Sequence, residues 1–157
     1  MIGPTTRLFG LAMSDPAEGH VARLYNALFG FNGLDAAYLT FLVKPAQLAF
    51  TLTGFKTTGQ TEVLHVAPAH QRAAGQWLGL DGAVDTLWLR GEVRGALRHA
   101  DAATWLAPEG VAARALAEAQ VWFDRPLDAP ADWLDVVRET RFRPCKLTHD
   151  VFGRTSP

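Results

Sequence analysis

Cysteine, long apolar runs and charge of one sign are what this sequence has least of. One cysteine, Cys145, occurs in 157 residues. A single thiol cannot close an internal disulfide, and such sparing use fits a reducing compartment. No apolar run approaches the ~20 residues that a helix needs to cross a bilayer. Met1 to Thr6 lack the charged-then-apolar order of a secretory leader, so a cytoplasmic setting is expected. Lys and Arg number 15 against 16 Asp and Glu, a net charge of −1. The basic residues are scattered rather than gathered into a block or stripe, so neither nucleic acid nor a membrane surface is an expected partner. Internal repeats, low-complexity tracts and an acidic tail are missing too.

What is present is the composition of an ordinary globular domain, 48% apolar and 20% charged. A chain of this length makes one domain, or one domain with a tail, and folding it removes roughly two-thirds of the unfolded surface. The weight of Ala, Leu and Gly suits a GC-rich bacterial source. Five tryptophans, Trp77, Trp88, Trp105, Trp122 and Trp133, are many for the length. A large apolar ring with one polar N–H suits a core or an interface, so a homodimer or a partner protein is expected to cover part of the surface.

Hydrophobic spacing predicts alternating strands and helices. Arg7 to Ala12 is an apolar run of strand length, broken by Asp15-Pro16. From Glu18 to Gly30 the apolar residues Val21, Leu24, Tyr25, Leu28 and Phe29 fall at helical spacing, and Gly30 and Gly33 end the run. Ala37 to Val43 is apolar on both faces, the pattern of a strand covered on both sides. Pro45 opens a helix ending near Gly54. Glu62 to Val66 is a third strand, and Ala69 to Leu78 a third helix. Thr86–Leu89 and Glu92–Leu97 read as a hairpin turning at Arg90-Gly91. Helices are predicted over Pro108–Ala119 and Pro130–Thr140, with Val121-Trp122-Phe123 as a short strand between them. The order implies a three-layer α/β domain with a mostly parallel, mixed sheet over residues 1–100, followed by helices over 101–157 packing on the same domain.

Several segments together resemble the substrate-binding domain of shikimate dehydrogenases. Thr5-Thr6-Arg7-Leu8-Phe9-Gly10-Leu11 is similar to the family's opening strand, and Asp15-Pro16 to its Asp/Asn-Pro turn. Arg23, Asn26-Ala27 and Phe29 resemble its first helix. Gly33-Leu34-Asp35-Ala36 with Tyr38 and Phe41-Leu42-Val43-Lys44-Pro45 is similar to its second strand. Gly82-Ala83-Val84-Asp85-Thr86 resembles Gly-Ala-Val-Asn-Thr, and Gly91-Glu92-Val93-Arg94-Gly95 the hairpin that follows. The likeness runs from about Thr5 to about His99.

Where the family grips the substrate carboxylate with Ser-x-Ser, this chain has Gly19-His20-Val21. Where the family has Asn-Val-Thr-x-Pro-x-Lys, with the catalytic lysine, it has Leu64-His65-Val66-Ala67-Pro68-Ala69-His70. The family's Asn-Thr-Asp, which supplies the lysine's partner, aligns with Leu97-Arg98-His99. A dinucleotide also needs a Gly-rich turn after a strand, and Pro108-Glu109-Gly110-Val111-Ala112-Ala113-Arg114-Ala115 has one glycine and an acid at that place. No cofactor is expected, and nicotinamide-dependent hydride transfer is not expected either.

Two readings of function follow. In the first, the domain is a non-catalytic accessory protein that binds a small molecule or peptide through Gly19, His20, Val21, Leu64, Val66, Thr86 and Arg98. In the second, it is a cofactor-free lyase, isomerase or cyclase of specialised metabolism, with His70 and His99 as the acid–base pair and Asp85 orienting one of them. Drifted polar residues at a cleft edge are the plain alternative for the same three. The histidines match no zinc spacing, so no metal is expected, and His65, inside an apolar strand, reads as a satisfied core histidine. Cys145 and His149 are four apart, but their surroundings read as an irregular tail rather than a nucleophile site.

Overall fold

Four of the five strands point the same way, and the fifth runs against them. The structure is a computed structural model that describes residues 2–97 and 101–142. In chain order it contains β1 (Arg7–Met13), α1 (His20–Phe31), β2 (Ala36–Leu42), α2 (Leu48–Thr58), β3 (Thr61–Val66), α3 (Gln71–Leu78), β4 (Val84–Trp88), β5 (Arg94–Leu97), α4 (Ala102–Leu106), α5 (Pro108–Trp122) and α6 (Asp135–Phe142). The sheet order is β2-β1-β3-β4-β5. β1 is parallel to β2 and β3, and β4 is antiparallel to β3 and β5.

The layering follows from this order. The β1-to-β2 and β2-to-β3 crossovers run in opposite directions across the sheet, and right-handed connections then place α1 and α2 on opposite faces. Side-chain alternation divides each strand between the two cores. Phe9, Leu11, Met13 and Val63 face α1 and α5, with Leu24, Tyr25, Leu28, Val111, Ala115 and Ala119. Ala12, Leu64 and Val66 face the α2–α3 side, with Leu48, Leu52 and Ala74. Val111, Ala115 and Ala119 repeat every four residues along α5. These small side chains give one narrow face that beds closely onto α1.

Two close approaches shape the periphery. A Cβ added at Gly75 would lie 1.8 Å from the carbonyl oxygen of Gly82, so α3 can cross the loop before β4 only where the side chain is hydrogen. At the opposite edge, the carboxamide of Asn26 accepts from Tyr38 N at 2.8 Å and donates to Tyr38 O at 2.9 Å. An α1 side chain thus takes the place of a neighbouring strand along part of β2.

Four expectations need correction. Val121 and Trp122 belong to α5, and Phe123 caps it. The apolar triplet imitates a strand, but the Trp122 ring stacks on Phe9 at 4.3 Å and 9°, which holds the helix for one more turn. α2 runs past Gly54 to Thr58 and stops at Gly59, in the left-handed region at φ 63°. Residues 131–134 are turns preceding α6, and the buried Trp133 donates its indole N–H to Leu24 O at 2.9 Å. The short α4 was not foreseen at all. Cys145 and His149 lie outside the described residues.

Gly75→Ala is expected to cost more than 3 kcal/mol or to abolish folding, because backbone rather than a movable side chain blocks the new methyl. Asn26→Ala, which only unpairs two backbone groups at an edge, should cost about 1–2 kcal/mol in urea unfolding.

Candidate functional site

Period-two alternation puts His65 on the same face of β3 as Val63, under α5, where its side chain is fully buried. Four elements meet there. The Tyr38 hydroxyl, from β2, lies 2.8 Å from Nδ1 of His65, and Nε2 of His65 lies 3.1 Å from Oε2 of Glu118 on α5. The Tyr25 hydroxyl, from α1, donates to the other carboxylate oxygen, Oε1. The Tyr25 and Tyr38 rings stack at 4.3 Å.

Burial pushes both phenols well above their ordinary range, and the Glu118 charge adds to the effect. At Glu118, burial opposes ionisation, but attraction to His65, hydrogen bonds from His65 and Tyr25, and the nearby Arg114 outweigh it. Together they hold the carboxyl below the usual carboxylate range.

Glu118 is 22% exposed, and what it faces is a cleft of about 410 Å³ between the β4–β5 hairpin and α4–α5. Its polar lining includes Asp85, Thr86, Arg114 and Glu118; Trp88, Ala96 and Leu97 form an apolar wall. The charged groups are each held from behind. Asp85 accepts from the Thr86 hydroxyl at 3.0 Å and from the Trp105 indole N–H at 3.1 Å. Arg114 donates through Nη1 to Trp105 O at 3.0 Å, lies 4.2 Å over the Trp105 ring and stands 4.0 Å from Glu118. A depression of about 490 Å³ on the other side of the domain, beside α2 and α3, is different in kind. Its charged residues, Lys56 and Glu92, are exposed.

The fold has solved counterparts. A shikimate dehydrogenase crystallised with NADP+ aligns at a TM-score of 0.52 and 25% identity, over 60% of this chain and 36% of its own. The shikimate dehydrogenase of Aquifex aeolicus aligns at 0.50 and 25%, over 60% and 38%. The 5-ketofructose reductase of Gluconobacter sp. strain CHM43 aligns at 0.52 and 24%, over 60% and 37%, a likeness of fold alone. Over about 60% of its length this chain has a shikimate dehydrogenase-like fold. It spans little more than a third of the length of those proteins, in keeping with their substrate-binding domain. No protein-family model matches the sequence, and no curated protein matches it.

The residues singled out by comparison with shikimate dehydrogenases separate into groups. Asp85 and Thr86 line the cleft. Val21, Leu64 and Val66 do not: each is fully buried in one of the two cores. Apolar side chains at these positions are drawn inward, where the family has polar ones. Gly19 ends the short turn before α1, and His20 ties α1 to α4 through Nε2 and Leu106 O at 2.7 Å. His70, at the position of the family's lysine, is 1% exposed. Its Nε2–H is shared between Val43 O at 2.9 Å and Met13 O at 3.3 Å, so the ring fills the carboxyl ends of β1 and β2 and points into no cleft. Arg98 and His99 lie outside the described residues.

Sequence reasoning missed Arg114, Glu118, Trp105, Tyr25 and Tyr38. The one local signal was the Arg114/Glu118 spacing of four on a predicted helix. Among the described residues, no group of three His, Cys, Asp or Glu could hold a metal ion.

Glu118→Gln is expected to destabilise the fold by about 1–3 kcal/mol at neutral pH. Because the folded-state pKa lies below the unfolded one, this contribution is complete above the unfolded carboxyl value of ~4.3 and disappears as pH falls through the folded value. Urea unfolding of both proteins should therefore differ at pH near 7 and converge in strong acid.

Proposed function

We propose that this chain is a non-catalytic binding protein built on the shikimate dehydrogenase substrate domain, and that it holds a small molecule in the cleft between the β4–β5 hairpin and α5. The observation that supports the reading is preorganisation. Asp85, Arg114 and Glu118 are each fixed by a hydrogen bond from or to a neighbouring residue before any ligand arrives. A few anchored polar groups beside an apolar wall make up the usual anatomy of a small-molecule site. The positions matching the family's serine pair and lysine are occupied by Gly19, Val21 and a buried, bonded His70, which argues against the family's chemistry. A cytoplasmic setting and a homodimer belong to the same reading, and light scattering of the purified chain tests the dimer.

A second reading, a cofactor-free acid–base enzyme, shifts from His70 and His99 to Glu118. That carboxylate both lines the cleft and is backed by the buried His65.

Thermal-shift screening with small polar molecules should find a ligand that raises the melting temperature, and Trp88→Ala, which removes much of the apolar wall, should weaken its apparent affinity at least about fivefold. Oxidation of shikimate by the purified chain with NADP+ would overturn the non-catalytic reading.

A further inference from the structure

The cleft is rich in acceptors and poor in free donors. The Thr86 hydroxyl and the Trp105 indole N–H are both given to Asp85. The Thr104 hydroxyl is given to Asp101 at 3.2 Å. Arg114 spends Nη1 on Trp105 O, and its Nε and Nη2 atoms have no exposed surface and no hydrogen-bond partner. Trp88 and the second Nη1–H of Arg114 apart, the side-chain donors of the described lining residues therefore face protein rather than a ligand.

The acceptors are in the opposite condition. Each carboxylate oxygen can take about two hydrogen bonds. The four oxygens of Asp85 and Glu118 each take one from the protein, so both carboxylates keep capacity to spare. Among the described lining residues their charges exceed the supply of cations. The lining holds two carboxylates against one guanidinium among the described residues, and that guanidinium lies over the Trp105 ring. Arg94 stands over the Trp88 ring at 4.7 Å, outside the lining. Glu118 stays ionised well into mild acid, since its neighbours favour the charged form.

A guest for this cleft must bring donors, and positive charge improves its fit. An ammonium group has three donors and no acceptor. A carboxylate meets fixed charges of its own sign with little free to bind it, and unpaired like charges cost several-fold or more in affinity. The wall of Trp88, Ala96 and Leu97 accepts an apolar body. We propose that the cleft selects a small organic cation, a primary amine on an apolar frame, over an organic acid of the same shape. This proposal rests on the cleft being the ligand site.

The test compares three isosteres on the full chain by isothermal titration at neutral pH and low salt: cyclohexylmethylamine, cyclohexylmethanol and cyclohexanecarboxylate. The amine is expected to bind at least about tenfold more tightly than the acid, and its affinity should fall as salt is raised. Asp85→Asn keeps the side-chain shape and an oxygen for Trp105. It is expected to weaken the amine at least about threefold more than it weakens the alcohol, with the melting temperature close to the parent's. Binding of the acid or the alcohol as tightly as the amine overturns the cation preference and leaves the binding reading in place, as does an unchanged amine affinity in Asp85→Asn. Failure of the amine to bind at all overturns the cation preference, and the thermal-shift screen with Trp88→Ala then decides separately whether the cleft takes any ligand.

Discussion

The contact between His65 and Glu118 ties the central strand to the helix that covers it. His65 sits on β3, in the middle of the sheet, with no exposed surface, and Glu118 sits on α5 at a cleft wall. A buried imidazole must find partners for both nitrogens, and a partly buried carboxylate must find donors. Each meets the other's need, and Tyr38 and Tyr25 complete the set from β2 and α1. The chain of bonds therefore fixes the depth and rotation of α5 over the sheet. Apolar packing alone would specify these less sharply, because the α5 face is made of Val111, Ala115 and Ala119, which can slide.

That placement of α5 is also what makes a cleft. α1 and α5 cover β1 and β3, while the β4–β5 hairpin extends beyond them. Arg114, one turn before Glu118, reaches back to Trp105 on α4, and Trp105 in turn holds Asp85 on β4. Core and cleft share one polar network, in which Glu118 belongs to both. The carboxyl ends of β1 and β2, where open α/β sheets commonly take ligands, are filled instead by His70 and its two carbonyl partners.

The strands and the first three helices were legible because their signals are local. The apolar run around Val63-Leu64-His65-Val66 is visible within four residues, and so is the breaker Pro68. The likeness of Gly82 to Thr86 to a known motif singled out Asp85 and Thr86, and both line the cleft. The site's other half was not legible, since its bonds span long stretches of chain. His65 and Glu118 are 53 residues apart, and Tyr25 and Glu118 are 93 apart. Nothing in the Ala-rich stretch from Pro108 announces a carboxylate that a buried histidine needs. The family likeness misled at Val21, Leu64 and Val66, because it transferred positions whose chemistry had changed, and apolar residues there pack inward. Val121 to Phe123 failed for a different reason: aromatic and β-branched residues carry strand preference, and tertiary contacts such as the stacking of Trp122 on Phe9 and the bond from Arg7 to Trp122 O decide otherwise.

Asn26 has a consequence for how the chain comes into being. Its carboxamide occupies the outward-facing backbone of Tyr38, and it is made 12 residues earlier than the strand it guards. During synthesis Asn26 is made before the backbone groups that it caps. The nascent sheet therefore closes one border before it is complete, and a half-made chain offers neighbouring nascent chains less to pair with than a bare edge would.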